Sequence, residues 1–246
     1  MDILKKYESF LIEKRGWVSK WPGKAVFIYS GGLDSTITIA RILEEKKVEL
    51  FPLFINRGQT NLEYERNSAI SYVKKFQKKY GHLIHDFFEI NINVPPKEIK
   101  NDLKSYVEKH GHPLRNTMLQ MIGVQYGISL LSKGQIVKSI FCAQVPDDPF
   151  PHSTLTSLRS NTISICDNLD EWDWQISSPN IDPYLVDIMM DKVKMIQWAD
   201  SHNVNLADTR SCYTSDAKHC GACLSCRRRK EAFKIAGIKD NTIYTD

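Results

Sequence analysis

Phe27-Ile28-Tyr29-Ser30-Gly31-Gly32-Leu33-Asp34-Ser35 is the stretch that decides how this chain is read. An apolar run shaped like a buried strand empties into Ser-Gly-Gly-Leu-Asp-Ser and continues into a helix-like segment, residues 36–46. Paired glycines let the backbone turn tightly and approach a ligand with no Cβ in the way. The N–H groups of such a turn, and those at the N-terminus of the helix after it, point outward and form an anion site. Ser30 and Ser35 add hydroxyl donors, and Asp34 is placed either to cap the helix or to hold a magnesium ion. No Gly-Lys-Ser/Thr follows, so the arrangement is not a Walker A loop.

Working outward, residues 24–30 read as a strand, 34–46 as a helix and 48–55 as a second strand. Residues 62–80 give a long helix with Tyr64, Ala69, Tyr72, Val73 and Phe76 on its inner face, and 83–92 a third strand. Alternation of this kind predicts an α/β fold, a parallel sheet with helices on both faces. Ligands of such sheets sit outside the carboxyl ends of the strands, which brings the 30–35 loop and residues 56–59 to one site. Residues 93–114 carry Pro95, Pro96, Gly111 and Pro113 and predict an excursion with a short helix. Helices are expected at 116–132, 154–170 and 184–202, and a buried strand at 135–142. The segment 143–153, with three prolines and two aspartates, is expected to loop over the site. The division that follows is an N-terminal helical extension (1–23), an α/β nucleotide-binding domain (24–205) and a C-terminal cysteine module (206–246).

Composition limits the function classes. In 246 residues, 42% are hydrophobic and 25% charged, which is ordinary for a globular chain able to bury one sizeable core. A net charge of +4 is too small to argue for nucleic acid, although it suits a phosphate-rich ligand. The longest apolar segments are far short of a membrane span. The N-terminal segment, with Lys5, Lys6 and Glu8 among Ile3, Leu4, Tyr7, Phe10 and Leu11, reads as an amphipathic helix and not as a signal peptide. A cytoplasmic setting is expected.

The six cysteines divide into isolated Cys142 and Cys166 and a C-terminal group, Cys212, Cys220, Cys223 and Cys226. Four thiolates at Cys-x7-Cys-x2-Cys-x2-Cys spacing suffice to close a tetrahedral structural metal site, zinc before an iron–sulfur cluster. Gly221 relieves the turn between the second and third ligands, and Cys226 begins a helix through residues 227–235. Cys142 ends a strand and is expected to be a buried structural thiol, not a nucleophile.

The Ser-Gly-Gly-x-Asp-Ser loop resembles that of ATP pyrophosphatases, and its pairing with the cysteine module resembles the 7-cyano-7-deazaguanine synthase family of queuosine biosynthesis. Arg57-Gly58-Gln59, Pro113-Leu114-Arg115-Asn116, Ala236-Gly237-Ile238 and Tyr244 extend the likeness from about Lys24 to Tyr244. The resemblance implies an adenine-nucleotide alpha hydrolase-like, Rossmann-like fold with a zinc-binding C-terminal helical module. It implies a ligase that adenylates the carboxylate of a deazapurine acid with ATP and Mg2+, adds ammonia to form an amide, and adenylates the amide to give a nitrile. Ser30, Gly31, Gly32, Leu33, Asp34, Ser35, Ile55, Gly58 and Gln59 are the expected nucleotide-binding residues. Asp34, Ser35, Arg115 and Lys192 are the expected catalytic residues, and Arg115, Asn116, Gln144 and Phe150 the expected substrate contacts. Zn2+ would sit on the four cysteines. No glutaminase segment is present, so ammonia must arrive from outside, and a homodimer is implied by the family.

The chain also departs from the family pattern. Arg57 stands where the family usually has Tyr, Lys194 where it often has an acid, and Gln144 lacks the charge of a glutamate that would pair with a guanidine-like edge. These departures suggest an alternative, a divergent branch that joins the deazaguanine acid to a protein amine in anti-phage defence. A second alternative is an adenylating tRNA-modifying enzyme, and a third a non-catalytic nucleotide-binding module.

Overall fold

A computed structural model describes residues 2–148 and 150–245. Pro149, one of the three prolines of the 143–153 loop, lies outside the described residues. Five parallel strands form the sheet: β1 (Lys24–Ile28), β2 (Glu49–Asn56), β3 (Phe88–Asn91), β4 (Ser139–Phe141) and β5 (Gln175–Ser177), in the order β3-β2-β1-β4-β5. Ala25 faces Leu50 across β1 and β2, and Val26 faces Ile140 across β1 and β4. The chain therefore steps outward from β1 to β2 and β3, then returns to the other side of β1 with β4. That reversal opens a crevice between β1 and β4 at their carboxyl ends.

Period-two alternation sorts the strand side chains onto the two faces. Ala25, Phe27 and Tyr29, with Leu50 and Phe54, enter one core; Val26, with Phe51, Leu53 and Ile55, enters the other. The first is covered by α2 (Leu33–Arg41) and α3 (Leu62–Tyr80), whose Ala69, Tyr72, Val73 and Phe76 point inward as the spacing predicts. The second is covered by α5 (Arg115–Leu131) and α6 (Leu155–Leu169). Gly127 explains why a buried helix tolerates glycine in its interior: a Cβ there would lie 2.8 Å from the Val137 carbonyl. A π-helical turn, Ile42–Lys46, closes α2 and releases the chain to β2.

The remaining helices are α1 (Ile3–Arg15), α4 (Lys104–His110), α7 (Lys192–Ser201) and α8 (Leu224–Ala236). A third apolar cluster, including Leu33, Ile37, Met195, Ile196, Ala232 and Phe233, fastens α7 and α8 onto α2. No helix among the described residues is long and apolar enough to cross a membrane.

The strands expected at 83–92 and 135–142 shorten to β3 and β4, and two further details differ from the sequence expectation. The strand β5 is only three residues long and was not expected; it lies against β4, and its Gln175 side chain donates to the Lys20 carbonyl at 2.8 Å. The helix expected at 184–202 starts at Lys192 instead. Its upstream residues fold around Asp182, whose carbonyl accepts from Leu185 and Val186, and Asp191 then caps the helix by accepting from Lys194 N–H at 2.8 Å.

Candidate functional site

The glycine loop adopts the conformation its composition requires. Gly31 has φ +71° and Gly32 is the extended N-cap of α2. The Gly31 carbonyl accepts from Ser68 Oγ at 2.7 Å and from Arg210 N at 3.0 Å, which locks the turn onto α3 and onto the approach to the cysteine module. A Cβ on Gly31 would meet the Glu65 carbonyl at 2.5 Å and Ala69 N at 2.7 Å, both backbone atoms. Gly31→Ala is therefore expected to lose more than about 1–2 kcal/mol, the left-handed backbone term alone. A thermal melt checks it, and an unchanged midpoint would contradict the close approach. Ser30 and Ser35 share a hydroxyl hydrogen bond of 3.0 Å, and Ser35 donates to the Gly32 carbonyl at 3.1 Å, so both hydroxyls border the open helix N-terminus.

Asp34 lies in the first turn of α2. Lys192, at the start of α7, donates to its Oδ2 at 2.8 Å, while Oδ1 is buried with no hydrogen-bond partner. Burial alone would lower the Lys192 ammonium; the Asp34 charge and hydrogen bond outweigh that, and the net shift is upward. The lysine thus stays cationic through the neutral range. A half-satisfied buried carboxylate oxygen is a position suited to a cation or a donor.

Both features open into a cavity of about 340 Å³ at the β1–β4 crevice. Five cationic side chains line it, against three carboxylates: Arg57, Arg115, Lys192, Arg210 and Arg229 against Asp34, Glu65 and Asp148. Arg229 is committed to Asp240 and to the Thr209 and Leu206 carbonyls, and Arg210 to the Thr214 and Ala217 carbonyls. Arg57 and Arg115 make no ion pair among the described residues. Burial and the facing Arg57 charge both push the Arg115 guanidinium down, opposed by Asp148, Tyr213 and Glu65. Leu114, directly before Arg115, sits at φ 54°, a left-handed conformation unusual for a bulky residue and a form of strain found where a site must aim a side chain.

Of the residues expected from the sequence, Ser30, Gly32, Leu33, Asp34, Ser35, Arg115, Asn116, Gln144 and Lys192 line this cavity together. Gly31 shapes the loop from behind. Ile55 is buried in the core at the end of β2, and Gly58 lies beyond it with φ +76°. Gln59 accepts from Arg57 N–H and donates to Glu65, which makes it a brace for the loop. Phe150 stacks on His152 at 5.3 Å, outside the lining. Gln144 donates to the His152 carbonyl at 3.2 Å, and its own oxygen is buried without a partner. Asn116 donates to Ser153 Oγ at 3.2 Å. Cys142 borders the cavity, but burial pushes its thiol up to about 12, so it stays protonated, as expected of a structural thiol.

Sequence reasoning did not name Glu65, Arg210, Ser211 or Tyr213 as lining residues, nor Arg57 and Asp148 as more than neighbours of a motif. Glu65 lies in the first turn of α3, where an acid reads as a helix-dipole residue. Arg210, Ser211 and Tyr213 flank Cys212 and reach the cavity only because the cysteine module folds back onto α2.

The sulfur atoms of Cys212, Cys220, Cys223 and Cys226 all lie within 4.8 Å of one another. Cys220 N–H donates to Cys212 Sγ at 3.2 Å and Cys223 N–H to Cys220 Sγ at 3.3 Å, and Cys223 caps α8. Burial would raise the Cys212 thiol, but hydrogen bonds from Cys220 and Thr214 bring it down to about 6. The donor set fits a thiophilic, tetrahedral ion. His219 is buried beside the group but pairs its backbone with Ile243 and Thr245, and it is not among the converging donors.

Comparison with known proteins gives concordant results. The family model described as queuosine biosynthesis protein QueC matches residues 24–237. A 7-cyano-7-deazaguanine synthase of Methanosphaera stadtmanae is 29% identical over 236 residues, covering 90% of this chain and 98% of that protein. The 7-cyano-7-deazaguanine synthase 1 of Desulfitobacterium hafniense is 28% identical over 219 residues, covering 86% and 92%. Among solved structures, a U34-tRNA thiolase from Methanococcus maripaludis aligns at 13% identity and a TM-score of 0.44, covering 95% of this chain and 72% of that one; that likeness is too loose to inform function.

Proposed function

The chain belongs to the queuosine biosynthesis protein QueC family, and from that premise we propose that it is an ATP-dependent ligase converting 7-carboxy-7-deazaguanine to the nitrile. The observation that carries the reading is the cavity itself: an anion-binding helix N-terminus, a half-satisfied Asp34 and an Arg115 with no ion pair among the described residues converge at one crevice.

A carboxylate is a poor electrophile, and the reaction remedies this without a protein nucleophile. The carboxylate oxygen attacks the α-phosphorus of ATP, expelling pyrophosphate and leaving an acyl-adenylate. Ammonia adds to the acyl carbon, AMP departs, and a proton is lost to give the amide. The amide oxygen then attacks the α-phosphorus of a second ATP, pyrophosphate leaves again, and loss of AMP and of both nitrogen-bound protons yields the nitrile. What the chain must supply is position and charge. The N–H groups of residues 31–35 and the Ser30 and Ser35 hydroxyls would hold the departing pyrophosphate. Lys192 and Arg115 would offset its charge, and Asn116 and Gln144 would meet the polar edge of the heterocycle. Asp34 would hold Mg2+, which when bound neutralises phosphate charge.

Residues 24–205 would form the nucleotide-binding unit, with 206–246 as a clip held by Zn2+ and 1–23 as a helical addition. The family implies a homodimer in the cytoplasm. Joining the acid to a protein amine or a tRNA base is not favoured, because the relatives matched over most of their length are named for the nitrile-forming reaction. Cys223→Ser is expected to lower bound zinc and thermal stability together, as is a chelator, since metal binding here is part of folding. Metal analysis alongside a melt checks this, and loss of activity with metal and melting point intact would refute a structural role.

The test of function is direct. Pure protein is incubated with ATP, magnesium, ammonium and 7-carboxy-7-deazaguanine, and products are followed by mass spectrometry. The nitrile with AMP is the expected result; no AMP would overturn the reading.

A further inference from the structure

Besides Arg115 and Lys192, and Arg210 and Arg229 with their committed partners, the cavity holds a fifth cation, Arg57, and its position is informative. Arg57 follows β2 directly, at the carboxyl edge of the sheet, and lines the same cavity as Arg115. None of the three carboxylates in that cavity forms an ion pair with Arg57 among the described residues. Asp34 accepts from Lys192 at 2.8 Å, Glu65 from Gln59 at 2.8 Å and Asn61 at 3.0 Å, and Asp148 from Phe150 N–H at 3.2 Å. The Arg57 backbone is fixed, its N–H on the Gln59 side chain at 2.9 Å and its carbonyl accepting from Val94 N at 3.4 Å, whereas its guanidinium forms no ion pair among the described residues. Two guanidiniums that feel each other's charge in a partly buried cleft are unfavourable until an anion lies between them. A guanidinium fork matches a planar carboxylate bidentately, as it does a phosphate.

We propose that Arg57 and Arg115 form a two-arginine clamp on the carboxylate of the incoming acid, making Arg57 the residue that distinguishes the charged acid from the neutral amide at the first adenylation. The clamp rests on the carboxylate-activating reading above and adds a specificity that the reading does not require. Arg57 grips the anion before activation. Once the oxygen is esterified to AMP the carboxylate charge is gone and the clamp no longer has an anion to hold, so the later steps do not draw on it.

Calorimetry on the full chain tests this, with 7-carboxy-7-deazaguanine and 7-amido-7-deazaguanine as the two probes and ATP titrated separately. For the wild-type protein the acid is expected to bind at least tenfold more tightly than the amide. Arg57→Gln is expected to erase at least tenfold of that preference by weakening the acid, with ATP affinity changed less than threefold, and Arg57→Lys to restore part of it. A melting point within a few degrees of wild type establishes that the variants are folded. An unchanged acid-to-amide ratio in Arg57→Gln, with the wild-type protein binding the acid, overturns the clamp and leaves the function standing. Equal losses for acid, amide and ATP overturn it too, because Arg57 would then serve the nucleotide. If the wild-type protein binds neither deazapurine, the proposed function falls and the clamp with it.

Discussion

Replacing Asp34 with Asn is expected to reduce AMP release by about 10²–10³-fold while leaving the protein folded. Asp34 presents two oxygens with different duties. Oδ2 receives Lys192 at 2.8 Å, and Oδ1 is buried beside the anion cradle with no partner at all. An amide keeps the shape and one acceptor but removes the charge, so it cannot hold a divalent cation as a carboxylate does. Metal-assisted stabilisation of a developing phosphate charge is worth several kcal/mol, and about 3–4 kcal/mol corresponds to the stated loss. Stability should suffer much less. The pair is partly exposed, 27% for Asp34 and 19% for Lys192, and exposed pairs contribute roughly 0–1 kcal/mol after screening. The measurement is AMP formation at saturating ATP, beside a melt; turnover within about fivefold of wild type would remove Asp34 from the phosphate site. The upward shift of Lys192 comes from Asp34, so the variant also loses what holds that buried ammonium in its charged form.

The glycine loop and the cysteine module were legible because both depend on local composition. Gly31 and Gly32 announce a tight turn wherever they occur after a strand, and four cysteines at fixed spacing announce a metal whatever surrounds them. The sheet was nearly as plain: alternate residues of β1 and β2 supply different cores, and that alternation survives in the sequence. Long-range pairing left weaker traces. Gln175 reads as a polar residue in a short apolar run, yet it is buried in β5 because Lys20 and Ser139 satisfy its amide. Arg210 and Tyr213 look like spacers around a cysteine of the metal-type cluster, and become cavity wall only when the module docks on α2, with α8 packed on α7 and α7 on α2. The family resemblance places Ile55, Gly58 and Gln59, at and beyond the end of β2, with the nucleotide; the structure puts Ile55 in the core and uses Gln59 to brace Glu65, with Arg57 lining the cavity. A strand terminus predicts which residues are near a site, and only the twist of the chain beyond it decides which side chain points in.

The same limitation hid the interaction whose loss should cost the most stability. Arg159 of α6 and Asp182 are both essentially buried, 1% and 0% exposed, and form a two-pronged pair at 2.8 Å in each arm. Arg159 also donates to Ser19 at 3.0 Å and Glu8 at 3.3 Å, and Ser177 donates to Asp182, so one cation joins α1, its linker, α6 and the end of β5. Burial raises the Asp182 carboxyl, but the Arg159 hydrogen bonds and charge outweigh it and hold the group below its ordinary value. Removing the cation reverses that balance. Arg159→Met is expected to cost about 3–5 kcal/mol by stranding a buried carboxylate, or roughly 6–20 °C in melting temperature for a chain of this size. The pH dependence carries the sign. In the wild-type protein a depressed carboxyl contributes stability above its unfolded value, near 4 (roughly), and loses it as pH falls through the native value. In the variant the stranded carboxyl is raised by burial, so its stability is greatest in acid and falls as pH rises. The gap between the two proteins should therefore widen from about pH 4 toward neutrality. Thermal melts across that range measure it, and a constant gap would mean that Asp182 is not the group left stranded. The companion variant Arg159→Met with Asp182→Leu should recover much of the loss, because an apolar pair removes the buried charge that the single substitution exposes.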